Sequence, residues 1–281
     1  VPDPLATDPV HPEGPAARTV PVTFQSAGTT LLGVLHLPPG PGPHPVAVLL
    51  HGFPGHERNF DLAQAARRAG YAALVFHYRG SWGMGGSWSW AHVLEDAAHV
   101  VARLREPGTA GAHALDPDRL AVVGHSLGGF AALMTAASDP GVTAVGSVAG
   151  FDLGTAAAAC RADPTVRAAY LQDWAGELLP LHGTSAQALV AEMEAAGDSW
   201  SLARLAPRLA TRPVLLVGTG RDPVTPADTH HRPLVESYRA HPVPGLEHHV
   251  LDTDHALSDH RVALARTVID FLDRHLKGAP R

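Results

Sequence analysis

From residue 46 onward the chain repeats one pattern, a short apolar run followed by a helix-length amphipathic stretch, and few architectures accept it. The runs VAVLLH (46–51), AALVFH (72–77) and LAVVGH (120–125) are followed in turn by 57–69, 91–105 and 127–138. Strands that are apolar throughout, each leading into a helix, belong to a parallel sheet covered on both faces. VTAVGSVAG (142–150), PVLLVG (213–218) and LEHHVLD (246–252) extend the series, the last ahead of the long segment 257–276. The pattern predicts an α/β fold, a doubly wound and mostly parallel sheet. Upstream, TVPVTF (19–24) and LLGVLHL (31–37) flank Ala27, Gly28 and Thr29, which predicts an antiparallel hairpin at a sheet edge.

Two stretches fall outside this rhythm. Residues 1–18 carry Pro2, Pro4, Pro9, Pro12 and Pro15, which disfavour helix and central strand alike, so an extended arm is expected there. The interval between the runs ending at 150 and starting at 213 is too long for a plain crossover and holds helix-like stretches at 155–161, 165–178 and 185–196. Residues 151–205 are therefore expected to form a helical cap inserted into a core built from 19–150 and 206–276, a larger ordinary crossover being the alternative.

The chemistry is concentrated at Gly124-His125-Ser126-Leu127-Gly128, which matches G-x-S-x-G between an apolar strand and an Ala-rich helix, FAALMTAAS. A strand-to-helix reversal this sharp brings backbones close together and holds the serine in an unfavourable φ/ψ region, hence the glycines. Ser126 is the candidate nucleophile. The Leu127 amide, at the helix N-terminus, and the Phe53 amide, in His51-Gly52-Phe53-Pro54-Gly55, are the candidate donors to a developing oxyanion. An acid and a histidine should follow in chain order at strand carboxyl ends. Asp222, just after PVLLVG, and His255, just after Val250 and Leu251, satisfy this with separations of 96 and 33 residues. Asp152 in GFDLG is the rival acid. His248 and His249 fall inside a strand, and His51 and His125 are read as supporting neighbours of the site.

Composition narrows the classes. A chain of 281 residues with 45% hydrophobic content can bury one large core. Its net charge of −6, without a Lys/Arg run, argues against a nucleic-acid partner. Cys160 is the only cysteine, so neither an intrachain disulfide nor a multi-cysteine metal site is expected, and it reads as a small buried residue. No apolar stretch is long enough for a membrane span, and no basic-then-apolar leader stands at the N-terminus, so a cytoplasmic protein is expected, monomeric or homodimeric. Because the chain starts at Val1, a secreted protein whose signal peptide was removed is the alternative.

These motifs resemble the α/β-hydrolase superfamily over about residues 30–276, and YRGSWGMGG (78–86) resembles a loop in catalytic domains of the prolyl oligopeptidase and acylaminoacyl-peptidase group. Those peptidases carry an N-terminal propeller that neither the arm at 1–18 nor the hairpin is expected to replace, so the resemblance points to the related small carboxylesterases with a helical cap. It implies two-step acyl transfer, in which Ser126 attacks an ester carbonyl, His255 takes and returns the proton, and Asp222 fixes the imidazole tautomer. No metal and no organic cofactor is called for. Neither Asp nor Cys stands at the elbow, which excludes an aspartyl or cysteinyl covalent mechanism.

Trp82, Trp88 and Phe151, which follow sheet strands, and Trp174 from the expected cap are candidate lining for an apolar pocket, with packing of the cap onto the core as the alternative. Arg79 is expected to bind a carbonyl of its own loop. An aminopeptidase or amidase would need an acidic anchor for the substrate amine, with Glu177, Glu192 or Glu194 as candidates. The third alternative is a catalytically silent binding protein on the same fold.

Overall fold

The computed structural model describes residues 3–8, 14–243 and 245–277. Strands β1 (Arg18–Ser26) and β2 (Thr29–Leu37) pair antiparallel, with Ser26 opposite Thr29 across Ala27 and Gly28. Those two residues sit at φ 45° and 78°, the left-handed conformations that a two-residue hairpin needs to match strand twist. β3 (His44–Leu50) leads into α1 (Phe60–Arg68), and β4 (Ala72–Phe76) into α2 (Trp90–Arg105) and the short α3 (Pro107–His113). β5 (Leu115–His125) runs directly into α4 (Leu127–Ser138).

After β6 (Ala144–Val148) come α5 (Leu153–Ala162), α6 (Pro164–Gly176), α7 (Ala186–Ala196) and α8 (Ala206–Leu209). β7 (Val214–Thr219), α9 (Arg232–Ala240), β8 (Leu246–Leu251) and α10 (Arg261–Leu272) complete the order. Among the described residues the strands form one eight-stranded sheet, β1-β2-β4-β3-β5-β6-β7-β8, with β3 to β8 parallel and the β1–β2 hairpin antiparallel at one edge.

The apolar runs follow from burial on both faces. In β3, Val46, Val48 and Leu50 belong to the cluster containing Val93, Val100 and Leu104 of α2 and Phe130 and Leu133 of α4. Ala47 and Leu49 belong to the opposite cluster, with Leu62 and Ala66 of α1 and Leu264, Val268 and Leu272 of α10. Each Val or Leu fully buried in this way contributes about 1.5–3 kcal/mol, and β3 has no polar face to spare.

Three local expectations change. β5 begins at Leu115, five residues before the apolar run, because Leu115 pairs with His44 ahead of a register shift. α3, with sequence PGTAGAH, carries no helical periodicity and is absent from the sequence reading. Residues 3–8 form a turn rather than an extended arm. Thr7 N–H donates to the Asp3 carbonyl, Arg68 Nε to the Pro4 carbonyl at 2.6 Å, and Arg266 to the Asp3 carboxylate at 2.9 Å. The arm expected at 1–2 and 9–13 lies outside the described residues. No helix of the described residues is long and apolar enough to cross a membrane.

Because β3 to β8 are parallel, their carboxyl ends share one edge, and the loops carrying Phe53, Trp82, Ser126, Phe151, Asp222 and His255 all leave the sheet there.

Candidate active site

Ser126 stands between β5 and α4 at φ 58°, ψ −123°, a conformation that costs a non-glycine residue about 1–3 kcal/mol. The elbow is held by its own backbone. Ser126 N–H donates to the Val148 carbonyl at 2.8 Å, and the Ser126 carbonyl accepts from Gly129 at 2.9 Å and Phe151 at 3.1 Å. A Cβ on Gly124 would overlap the Gly128 carbonyl, and one on Gly128 would overlap the Leu50 carbonyl. The flanking glycines are therefore required by close backbone approach.

Asp222 and His255 meet beside this elbow. His255 Nδ1 lies 2.7 Å from Asp222 Oδ2, with the acid side chain fully buried and the imidazole 22% exposed. Asp222 Oδ2 also accepts from the Thr219 and Thr225 hydroxyls, both at 2.6 Å, while Oδ1 accepts from Val224 N–H at 2.8 Å and Thr225 N–H at 3.0 Å. Burial pushes the Asp222 pKa up, but the hydrogen bonds from His255, Thr219 and Thr225 outweigh it and hold the carboxyl well below its usual range. The group is an anion with every lone pair engaged, and it faces an Nδ1–H. His255 Nε2 is thus the ring nitrogen left to take a proton. No hydrogen bond joins Ser126 Oγ to His255 among the described residues, as is common where no substrate is bound.

Two further histidines brace the site. His125 Nε2 donates to the His255 carbonyl at 2.7 Å, and His51 Nδ1 to the Gly52 carbonyl at 2.8 Å. Burial pushes both pKa values down, to about 3, so both rings are neutral. A Cβ on Gly52 would lie 2.9 Å from Ser126 Cβ, which measures how closely the 51–55 loop approaches Ser126. Phe53 N–H and Leu127 N–H have no protein acceptor among the described residues, so both are free to meet an oxyanion.

The rival acid is occupied. Asp152 Oδ1 caps α5 by accepting from Thr155 N–H at 3.0 Å, and its Oδ2 accepts from Leu202 N–H at 3.2 Å. Phe53, Phe151, Tyr170 and Trp174 form an aromatic group in which the Phe53–Trp174 and Phe151–Trp174 centroids lie 6.0 and 6.4 Å apart. Phe151 and Trp174 are each 7% exposed.

Trp88 corrects its pocket assignment. It is 1% exposed, wedged among Phe53, Tyr78 and Trp90, and it packs the core because no face remains for a ligand. Trp82 is also committed to protein, as its indole N–H donates to the Pro54 carbonyl at 2.8 Å. Arg79 binds carboxylates rather than a loop carbonyl, Asp96 at 2.7 Å and Glu95 at 2.6 Å, because fully buried Asp96 requires a cation. Thr219, Thr225 and the Trp82 contact are absent from the sequence reading. Thr219 and Thr225 each stand three residues from Asp222, a local spacing that could have signalled them, whereas the Trp82–Pro54 contact joins loops that only the fold brings together.

The model described as "Alpha/beta hydrolase family" matches residues 47–267. Hydrolase LUC6 of Fusarium sp. is 38% identical over 154 residues, 48% of this chain and 34% of the relative, so the match spans about a third of that protein's length. Among solved structures, a puromycin-hydrolyzing peptidase of Mycobacterium tuberculosis superposes with TM-score 0.69 at 22% identity, covering 94% of this chain and 40% of that one. The α/β hydrolase GrgF of Penicillium sp. sh18 gives 0.67 at 20% identity over 92% and 99% of the two chains. An esterase of Pyrococcus furiosus gives 0.66 at 15% identity over 96% and 98%. At these identities the solved structures establish a shared fold, and the family match covers most of the chain and includes the elbow, the acid and the histidine. The chain belongs to the α/β hydrolase family.

Proposed function

We propose that this chain is a serine hydrolase that cleaves carboxylic esters through an acyl-enzyme on Ser126. The observation that carries the reading is the Asp222–His255 couple, which leaves only His255 Nε2 free beside a strained serine. His255 takes the Ser126 proton as Oγ attacks the ester carbonyl, and the Phe53 and Leu127 amides receive the oxyanion. His255 then protonates the departing alcohol, and water, deprotonated by the same nitrogen, releases the acid. Residues 151–205 act as a cap. In support, Trp174 of α6 meets the Phe53 ring edge-on at 6.0 Å, which brings this segment against the 51–55 loop beside Ser126. Phe151, Tyr170 and Trp174 suit a small or medium apolar acyl group.

The peptidase alternative needs an acidic anchor, and two of its three candidates are committed elsewhere. Glu192 accepts from Trp90 N–H and Ala91 N–H at the start of α2, at 3.0 and 2.8 Å, and Glu194 pairs with Arg167 at 2.9 Å. Glu177 is left, 3.5 Å from His56 with 47% of its side chain exposed. The test is turnover of p-nitrophenyl esters from acetate to dodecanoate beside a panel of aminoacyl-p-nitroanilides. Ester turnover with anilides at background is the expected result, with the rate falling beyond the acyl length that Phe151, Tyr170 and Trp174 accommodate. Anilide turnover of equal efficiency would move the assignment to a peptidase.

A further inference from the structure

Trp82 stands where three segments meet. Its backbone N–H donates to the Pro180 carbonyl at 2.8 Å in the connection between α6 and α7, and its indole Nε1–H donates to the Pro54 carbonyl, also at 2.8 Å, one residue beyond Phe53. It is held at φ 50°, a conformation that a bulky L side chain keeps only where its surroundings over-determine it. Those surroundings are specific. The Arg58 guanidinium lies 4.0 Å above the indole ring while its Nε donates to the Gly55 carbonyl at 3.2 Å, and the His56 ring meets the indole edge-on at 5.5 Å. Gly55, at φ 97°, leaves the room this needs, since a Cβ there would lie 2.9 Å from Trp82 Nε1 and 2.6 Å from His51 Nδ1. The loop bearing Trp82 is in turn sewn to the α6–α7 connection by His182 N–H to the Gly80 carbonyl and Trp88 N–H to the His182 carbonyl, both 2.8 Å.

We infer that Trp82 is a positioning residue for the oxyanion site, holding the Phe53 amide over Ser126 through the Pro54 carbonyl and linking that loop to the α6–α7 connection. The inference rests on the acyl-enzyme reading above. An oxyanion donor acts where charge develops, so loosening it raises the barrier without weakening the ground-state complex. Trp82→Phe keeps an aromatic ring beneath Arg58 and deletes the N–H. It is expected to lower kcat about 10- to 100-fold while KM changes by less than about threefold. Affinity for an alkylboronic acid, which places an oxygen anion in the same site, should fall in the same proportion.

Rates are referred to active sites titrated with a serine-directed phosphonate, so loss of folded protein does not register as lost kcat. Replacing Trp82 by 3-benzothienylalanine, isosteric but without the N–H, isolates the hydrogen bond if the phenylalanine variant packs poorly. Unchanged kcat per titrated site and unchanged boronate affinity, in a wild-type background that does take up phosphonate, would overturn the positioning role alone. Wild-type protein that takes up none and turns over no ester would overturn the acyl-enzyme reading and the positioning role with it.

Discussion

Asp222→Asn is expected to lower kcat for a p-nitrophenyl ester by about 10⁴-fold while the protein stays folded. The size of the effect comes from the number of donors aimed at this carboxylate. Oδ1 receives two backbone N–H groups, so the asparagine must keep its oxygen there and put its NH2 where Oδ2 stood. One threonine hydroxyl can rotate to accept the NH2 hydrogen that His255 Nδ1 does not take, and the other can turn away from it, so stability is largely retained. Imidazole cannot rotate in this way. Nδ1 would have to accept, which moves the ring proton to Nε2 and leaves no lone pair for Ser126. Assays with titrated protein, alongside thermal melts, check both halves of the expectation. A loss below about tenfold would mean that tautomer control by Asp222 is not what the site relies on.

A second large effect concerns acid. His51 and His125 are held at about 3 and His77, His230 and His231 at about 4, in each case chiefly by burial, whereas in an unfolded chain each titrates near 6.5. The folded pKa values are depressed, so as pH falls below about 6.5 the unfolded chain gains protons that the folded one refuses. Stability is therefore full above that point and is lost progressively down to the folded values. At about 1.4 kcal/mol per proton and pH unit, five such groups remove about 7 kcal/mol for each unit below pH 6. Against a total stability of about 5–15 kcal/mol, this places acid unfolding near pH 5. Urea melts from pH 8 to 4.5, with proton uptake measured calorimetrically, should show about five protons bound on unfolding near pH 5. Stability that stays level to pH 4.5 would contradict the neutral, buried state of these rings.

The same histidines show where the sequence is legible and where it is silent. The unbroken apolar character of VAVLLH and its successors is legible because both faces of a central parallel strand are buried, a constraint felt at every residue. That Ser126, Asp222 and His255 leave the same sheet edge, with the last two hydrogen-bonded, is legible because the elbow imposes glycines at fixed positions and its expected partners must leave later strands in order. Nineteen histidines, by contrast, look alike in a sequence. That His125 braces the His255 backbone depends on two distant loops meeting at the sheet edge, and that His51 turns onto the carbonyl of its own neighbour, Gly52, depends on its full burial there. Arg79 was read from its own loop, yet its partner Asp96 lies on α2, where burial leaves the acid no other cation. Trp88 was read as pocket lining because large apolar rings serve cores and pockets alike, and only its burial separates the two.

The most direct test of the central claim is covalent. Wild-type protein is treated with a fluorophosphonate and the adduct is located by peptide mass spectrometry, with Ser126→Ala and His255→Ala treated in parallel. One adduct per chain on Ser126, absent from Ser126→Ala and formed far more slowly in His255→Ala, with ester turnover lost in step, is the expected result. An adduct on another residue, or ester turnover that survives Ser126→Ala, would contradict Ser126 as the nucleophile.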